Sequence, residues 1–474
     1  MIFLNVDKKI KTIKKQLHNS FDVADRIVEV GEVKVGFIYL KSFTDNLIFS
    51  SAIYEPISNF HGKLDFETIK QLIQANDTKE IEEKDVLNNI LKGAVVVFLS
   101  SSTKMLAVDI QKFTTRTPTE PPTSPVIQGP REGFTEDIKT NIGLLRKRFY
   151  SADLVLKNLS VGRKTKTTIV IAYLDSVVSK KVVKEVEKRI KSIDIDGVVD
   201  SYYLMPYLIS RPNSLFKQVG NTEKPDIVSA KLLEGRVAIL VDNSPMVLTV
   251  PFVLLEELQN PNDYYTNYIY ASLLRFVRLI GVFLALLGPG IYIALQLYHY
   301  NVLPIKYLIT IADSTQQIPF TPFIEILFIS LLFQILYEVS LRLPSYLGLA
   351  TSVVGALILG DTGVKAGLIS PPAVIVVAIA KIALYTIPEQ SAQITVLQFF
   401  FLLIGASVGL LGIIGGSIYL IAYLNSLENY HTPYLAPFSP FILKDNKDGL
   451  IRTTLSNMKE RPYSFNNQNH RRQK

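Results

Sequence analysis

Residues 279–424 hold long apolar runs parted by short breaks rich in Gly and Pro, and a bilayer is the environment that suits them. The first run, residues 279–300 (LIGVFLALLGPGIYIALQLYHY), has no charged side chain. A hydrocarbon core about 30 Å thick is crossed by roughly 20 helical residues rising about 1.5 Å each. Residues 320–340, 366–387 and 394–424 are long enough to cross as well. Buried helices of a soluble protein rarely follow one another in such lengths. The sequence therefore predicts an integral membrane protein with about four spans. Residues 347–360 (LGLATSVVGALILG) are too short to cross comfortably and run into Gly360, Asp361, Thr362 and Gly363. They read as a re-entrant or broken helix, which membrane depth tolerates only where protein or water surrounds it. Gly288, Pro289 and Gly290 should kink the first span, and the glycines at 405, 409, 412, 415 and 416 mark close helix packing in the last.

The rest of the 474-residue chain is more polar, so a mean hydropathy of +0.25 averages two unlike halves. The net charge of +8 does not point to nucleic acid, because basic and acidic residues interleave, as in KKVVKEVEKRIKSIDID at residues 180–196. That is the pattern of a solvated helix face. Arg275, Arg278, Arg342 and the basic C-terminus suit the membrane side that favours positive charge, whereas the loop 388–393 has no Lys or Arg. The expectation is both termini in the cytoplasm and that loop outside. Zero cysteines exclude disulfides and Cys-based zinc sites, and the first residues lack a signal-peptide pattern.

Within the polar half, helical and strand patterns alternate. Residues 30–40 read as one buried strand, 66–76 as an amphipathic helix, and 94–100 and 105–110 as strands about a polar turn. Five prolines between residues 117 and 130 forbid helix and central strand there, so this stretch is a linker. After it the pattern repeats. LKGAVVVFLSSSTKMLAV (91–108) aligns without a gap on LEGRVAILVDNSPMVLTV (233–250), matching Gly93 with Gly235 and Ser102 with Ser244. Tyr39 and Leu40 likewise match Tyr173 and Leu174. The fold class expected is a cytoplasmic α/β N-terminal module of two related subdomains, followed by a polytopic all-α transmembrane domain. The boundaries drawn are 1–116 for subdomain 1, 117–130 for the linker and 131–260 for subdomain 2. The membrane domain takes 261–427 and a polar basic tail 428–474.

No residue pattern argues for an enzyme. The five histidines are scattered, no metal-binding spacing occurs, and no cofactor motif is present. GRKTKTT (162–168) lacks the Gly-Lys-Ser/Thr triplet of a phosphate-binding loop and reads as a basic turn. The membrane half holds the groups of interest. An ionisable side chain within a span costs roughly 2.5–3.5 kcal/mol on insertion scales and so faces a pore or a partner. Glu325, Glu338, Asp361, Lys365 and Lys381 are such groups. The plainer reading has Glu338 and Lys381 near the interfaces and Lys365 paired with Asp361. If copies form a ring, one carboxylate becomes a ring of charge that selects cations. If charge does not control the path, Val353, Val354 and Leu357 would build a hydrophobic gate. A secondary transporter would need symmetry between membrane halves, and only one broken region is evident.

GPREGFTEDIKTNIGLLRKRF (129–149) resembles a signature of the A subunits of spore germinant receptors, the GerA family. Gly129, Pro130, Glu132, Gly133, Phe134 and Glu136 carry the likeness. LLEGRVAILVDNSPMVLTVP (232–251), IPFTPFIE (318–325, with Pro319 and Pro322) and GDTGVKAGLISPP (360–372) resemble the family in the same order. Thr321 departs from the family's usual Pro-Phe-Pro-Pro. The signature has a structural reading too: turns at Gly129 and Gly133, with Thr135 and Glu136 capping the next helix. The resemblance implies a protein of the spore inner membrane, acting with a transporter-like B subunit and a lipoprotein C subunit. It further implies an oligomeric, pentameric ion channel in contact with membrane lipid, releasing monovalent cations. A SpoVAF-type signal-amplifying channel is the neighbouring branch, and a non-conducting scaffold subunit is another alternative.

Overall fold

The computed structural model describes residues 5–75, 77–110, 128–316, 318–343, 355 and 358–473. Val353, Val354, Leu357, Gly348 and nearly all of the proline-rich linker lie outside them.

Two five-stranded antiparallel sheets form the polar half, and they share one strand order. In the first sheet, β1 (Val23–Val30), β2 (Val33–Leu40), β3 (Thr78–Ile81), β4 (Val95–Leu99) and β5 (Met105–Val108) lie in the order β1-β2-β4-β5-β3. The second comprises β6 (Leu154–Val161), β7 (Thr167–Leu174), β8 (Gly220–Thr222), β9 (Val237–Val241) and β10 (Val247–Val250), ordered β6-β7-β9-β10-β8. The repeat seen in the sequence is thus a repeat of topology. Gly93 and Gly235 occupy equivalent places, each with positive φ (97° and 85°) two residues before the central strand. Tyr39 and Tyr173 sit at matching registers, opposite Ala24 and Val155. Residues 30–40 are not one strand, because the chain reverses at Gly31 (φ 60°) between β1 and β2.

Each central strand is buried on both faces, which is why its sequence is a continuous apolar run rather than an alternating one. In the first subdomain, α1 (Val6–Gln16) and α3 (Val86–Leu91) share the core on one face, and α2 (Phe66–Leu72) lies in the core on the other. In the second, α4 (Ile138–Arg146) and α6 (Pro225–Leu233) cover one face and α5 (Lys180–Lys191) the other. The subdomains are locked by Arg146 and Asp22, 1 % and 2 % exposed. The guanidinium donates to both carboxylate oxygens at 2.8 and 3.0 Å and to Ser20 Oγ at 2.9 Å.

The helical half begins with α7 (Tyr268–Leu297) and α8 (Ile305–Thr315). It continues through α9 (Pro322–Arg342), α10 (Pro371–Leu384), α11 (Ser391–Val408) and α12 (Leu410–Asn425). Among the described residues three helices are long and apolar enough to cross a membrane: Tyr268–Leu297, Pro322–Arg342 and Pro388–Val408. The expected four spans need correction at two places. Helix α10 has 14 residues, about 21 Å. The run 394–424 is two antiparallel helices hinged at Gly409, whose φ of 71° and ψ of −152° only glycine adopts cheaply. Pro289 lies inside the continuous helix α7. The glycines work elsewhere: a Cβ on Gly405 would stand 2.5 Å from Gly290 O, so α7 and α11 cross backbone to backbone.

The C-terminal segment is no loose tail. Asn467 Nδ2 donates to Glu234 O at 2.7 Å, Gln468 N to Val177 O at 2.9 Å, and Arg461 Nε to Leu233 O at 2.7 Å. Tyr430, Tyr434 and Phe465 are buried.

Candidate functional site

The ionisable groups of the helical half have separate fates. Thr321 caps α9, accepting from Ile324 N at 3.5 Å, so the departure from a proline there supplies a helix cap. Pro322 opens that helix, and Pro319 is exposed just ahead of it. One turn on, Glu325 is 1 % exposed and its carboxylate accepts from Ser370 N, the cap residue of α10. A carboxylate at a helix N-terminus satisfies an orphan N–H and meets the positive end of the helix dipole. Glu325 is therefore a staple between α9 and α10 and faces no open surface within one chain. Glu338 is exposed and pairs with Arg342 at 2.6 Å, and Asp361 is exposed and pairs with Lys365 at 2.7 Å. Lys381 is buried, with Gln334 Oε1 at 3.4 Å. Between the helices, residues 358–370 form a π-type turn (Ile358–Thr362) and one helical turn (Gly363–Lys365). The broken helix expected over residues 347–360 lies almost entirely outside the described residues.

A second group of charges joins the helices to the α/β module. Asp263, fully buried, accepts from Arg275 Nε at 3.1 Å and from Arg278 Nη1 and Nη2 at 2.8 Å each. Arg275 reaches onward to Asp448 Oδ1 at 3.0 Å and to the carbonyl of Gly449. Arg452 Nη1 donates to the carbonyl of Asp263. Module, first membrane helix and C-terminal segment meet at this one cluster. Arg275 and Arg278 were legible as membrane-flanking cations, but Asp263 was not. Its signal would have been an acidic residue about three helical turns ahead of an Arg-x-x-Arg pair.

The other junction overturns the expected placement of the loop 388–393. Lys217 of the second subdomain pairs with Glu257, at 3.4 Å, and with Glu389. Ile387 packs with Val253, Leu255, Leu258, Ala436 and Phe465. The loop therefore lies at the module's end of the bundle. Its lack of Lys and Arg reflects a ready-made cation, Lys217, supplied by the module. Burial raises the Glu257 carboxyl to about 7 against the pull of Lys217, and Glu389 adds to the rise. Arg211 donates to Ser426 O at 2.8 Å at the end of α12, so that helix also returns to the module.

The signature at 129–136 folds as structure. Gly129 has φ 118°, and a Cβ there would stand 2.6 Å from the Tyr265 ring. Pro130 O accepts from the buried Lys224 at 3.0 Å. Glu132 pairs with Lys147 at 3.2 Å and Arg148 at 2.9 Å. Gly133 leads into Phe134, which is buried in the core beneath α4 and donates its N–H to Glu223 O at 2.7 Å. Glu136 O accepts from Asn243 N at 2.8 Å. The cap of α4 is neither Thr135 nor Glu136 but Asp137, which accepts from Thr140 N at 2.9 Å. Thr135 is instead held by the buried amide of Asn141.

The pattern of the Bacillus/Clostridium GerA spore germination protein family matches residues 11–464. The chain belongs to that family. Spore germination protein KA of Bacillus subtilis (strain 168) is 32 % identical over 483 residues, spanning 100 % of this chain and 89 % of that protein. Spore germination protein A1 of the same organism is 35 % identical over 436 residues, covering 91 % of this chain and 90 % of its own. The uncharacterised membrane protein YfkQ, also of Bacillus subtilis, is 37 % identical over 392 residues, 82 % of this chain and 76 % of that one. Among solved structures, the N-terminal domain of the A subunit of the Bacillus megaterium spore germinant receptor GerK3 is 26 % identical. It covers 51 % of this chain and 92 % of its own, with a TM-score of 0.39. This GerA-family chain is thus a spore germination protein of the receptor A-subunit kind, with helices suited to a membrane. Among the described residues no cluster of His, Asp or Glu is arranged to hold a metal.

Proposed function

We propose that this GerA-family protein is the channel-forming A subunit of a nutrient-responsive germination receptor. It assembles as a ring of copies, pentameric by the family resemblance, in the spore inner membrane. It acts with a B and a C subunit and passes monovalent cations. It works by conduction and carries no catalytic chemistry. The α/β module and both termini lie in the cytoplasm.

The observation that carries this reading is the exposure of Glu338 and Asp361 in the apolar half, at 54 % and 61 % of their side chains. Among the described residues, Glu338 pairs with Arg342 and Asp361 with Lys365, each on its own helical turn. Lipid is a costly neighbour for such groups, whereas a water-lined path between copies is not. Repeated around an axis, they would give rings of carboxylate that favour cations. Glu325 could join the path only if the contact between α9 and α10 opened. The test is single-channel recording from purified protein in liposomes, with Glu338→Gln, Asp361→Asn and the double variant. Conductance and cation preference should fall while assembly persists. Unchanged currents in the double variant would shift control to an apolar gate at Val353, Val354 and Leu357. Absence of any current from well-assembled protein would leave the chain a scaffold.

A further inference from the structure

After the last helix the chain carries a run of exposed apolar side chains at the level where helices leave the membrane. Phe441 is 70 % exposed and Leu443 75 %, and Phe438 and Ile451 are exposed as well. Hydrogen bonds fix this level. Ser439 Oγ donates to Asn425 Oδ1, on the last residue of α12, and Ile442 N donates to Pro437 O at 2.9 Å, closing the loop. Arg275, two turns into α7, donates to the carbonyls of Asp448 and Gly449, and Arg452 N donates to Ser272 Oγ at 2.9 Å. Residues 439–452 are thereby pinned between the end of α12 and the first turns of α7.

Helix α7 has 30 residues, about 45 Å, and so exceeds a hydrocarbon core by about 15 Å. Arg275 and Arg278 put that surplus at its first turns, ahead of the uncharged residues 279–297, so those turns and the loop pinned to them belong at the headgroup layer. Leu411, Ile414, Ile418 and Ile421 form an exposed stripe at helical spacing along α12, and that stripe ends at the same Asn425. The loop thus continues a lipid-facing surface. Lys444, which also pairs with Glu460 at 3.3 Å, and Lys447 follow it, while Asp445 and Asp448 beside them bond inward to Ser464 and Arg275. Apolar tips flanked by lysines suit the boundary between acyl chains and anionic headgroups.

We infer that residues 438–443 are a lipid-seated wedge, with Phe441 and Leu443 in the interfacial layer of an anionic bilayer. The wedge holds the C-terminal segment, and through it the α/β module, at a fixed height above the membrane. The chain contains no Trp, so Phe441→Trp places a single indole reporter at its tip. The full-length variant goes into phosphatidylcholine vesicles with a minority of phosphatidylglycerol. Lipids brominated near the headgroup or near the chain end serve as quenchers. The expected result is loss of emission to headgroup-proximal bromine, less loss to bromine near the chain end, and little loss to aqueous iodide. Leu47→Trp, at a 77 % exposed site in the first subdomain, should show the reverse. Iodide quenching of the Phe441→Trp protein at the level of the Leu47→Trp protein would overturn the inference. Shielding from both quenchers would overturn it too, because a second copy would then cover the loop. Leu443→Trp repeats the measurement if Phe441→Trp does not fold.

Discussion

Replacing Asp263 by Asn keeps the side chain's shape and removes its charge from a fully buried site. The carboxylate accepts three hydrogen bonds from Arg275 and Arg278 and one from Asn260 N at 3.1 Å. Charge-assisted bonds contribute roughly 1.5–3 kcal/mol each, but these share one desolvation cost and do not add. Breaking a buried pair by removing one partner costs about 3–5 kcal/mol. Arg275 keeps Asp448 and Arg278 keeps Leu258 O at 2.7 Å, so the lower end applies. A loss of about 3 kcal/mol raises local opening roughly 100-fold. Hydrogen exchange by mass spectrometry on the full chain in nanodiscs reads this directly. Amides near residues 448–455 should exchange about 100-fold faster in Asp263→Asn, while β4 and β9 stay protected. Combining Asp263→Leu with Arg275→Met and Arg278→Met should recover much of the protection, because apolar groups of similar size replace buried ions at little cost. If Asp263→Asn changes exchange by less than about fivefold, the cluster does not hold the junction as argued.

Other outcomes follow from the same geometry. Cysteine at Gln393 and at Asn469 of this cysteine-free chain should label from the same side of the membrane, and labelling from opposite sides would contradict the Lys217–Glu389 contact. Gly405→Ala should destabilise the crossing of α7 and α11 by about 1–3 kcal/mol through overpacking, read as a lower melting temperature in detergent. Glu257 titrates near 7 in the folded chain against 4.5 ordinarily, so its contribution is complete below about 4.5 and is lost as pH rises through about 7. The Lys217 junction should therefore open more readily at pH 8 than at pH 5, and Glu257→Gln should flatten that dependence in hydrogen exchange. Asp22→Asn should loosen the subdomains at a cost of about 3 kcal/mol or more, since it strands the buried Arg146.

The sequence disclosed what periodicity and length encode. Apolar runs located the membrane half, and the aligned glycines at 93 and 235 disclosed the duplicated sheet, because a positive φ before a strand demands the same residue twice. It misjudged features set by partners distant in the chain. Residues 394–424 read as one span since nothing local distinguishes the hinge Gly409 from Gly415, which has open space around it. The loop 388–393 looked external because its cation is Lys217, more than 170 positions earlier. Glu325 was singled out for its charge, but its role depends on Ser370, 45 residues away. The signature at 129–136 was legible as a motif, while Tyr265, which explains Gly129, was not.

The contact of Asn467 with the second sheet bears on the order of synthesis. A side chain on residue 235 would collide with Asn467 Oδ1, 2.0 Å from where its Cβ would stand. The strand that begins there leaves the ribosome well before its cover, which follows helices α7 to α12. Until residue 467 has been made, the turn at Glu234 and Gly235 waits without Asn467. A chain truncated before residue 467 would have both sheets and helices α7 to α12, yet its α/β module would remain unsealed on this side. Asn467 thus closes the second sheet only after helices α7 to α12 have been made.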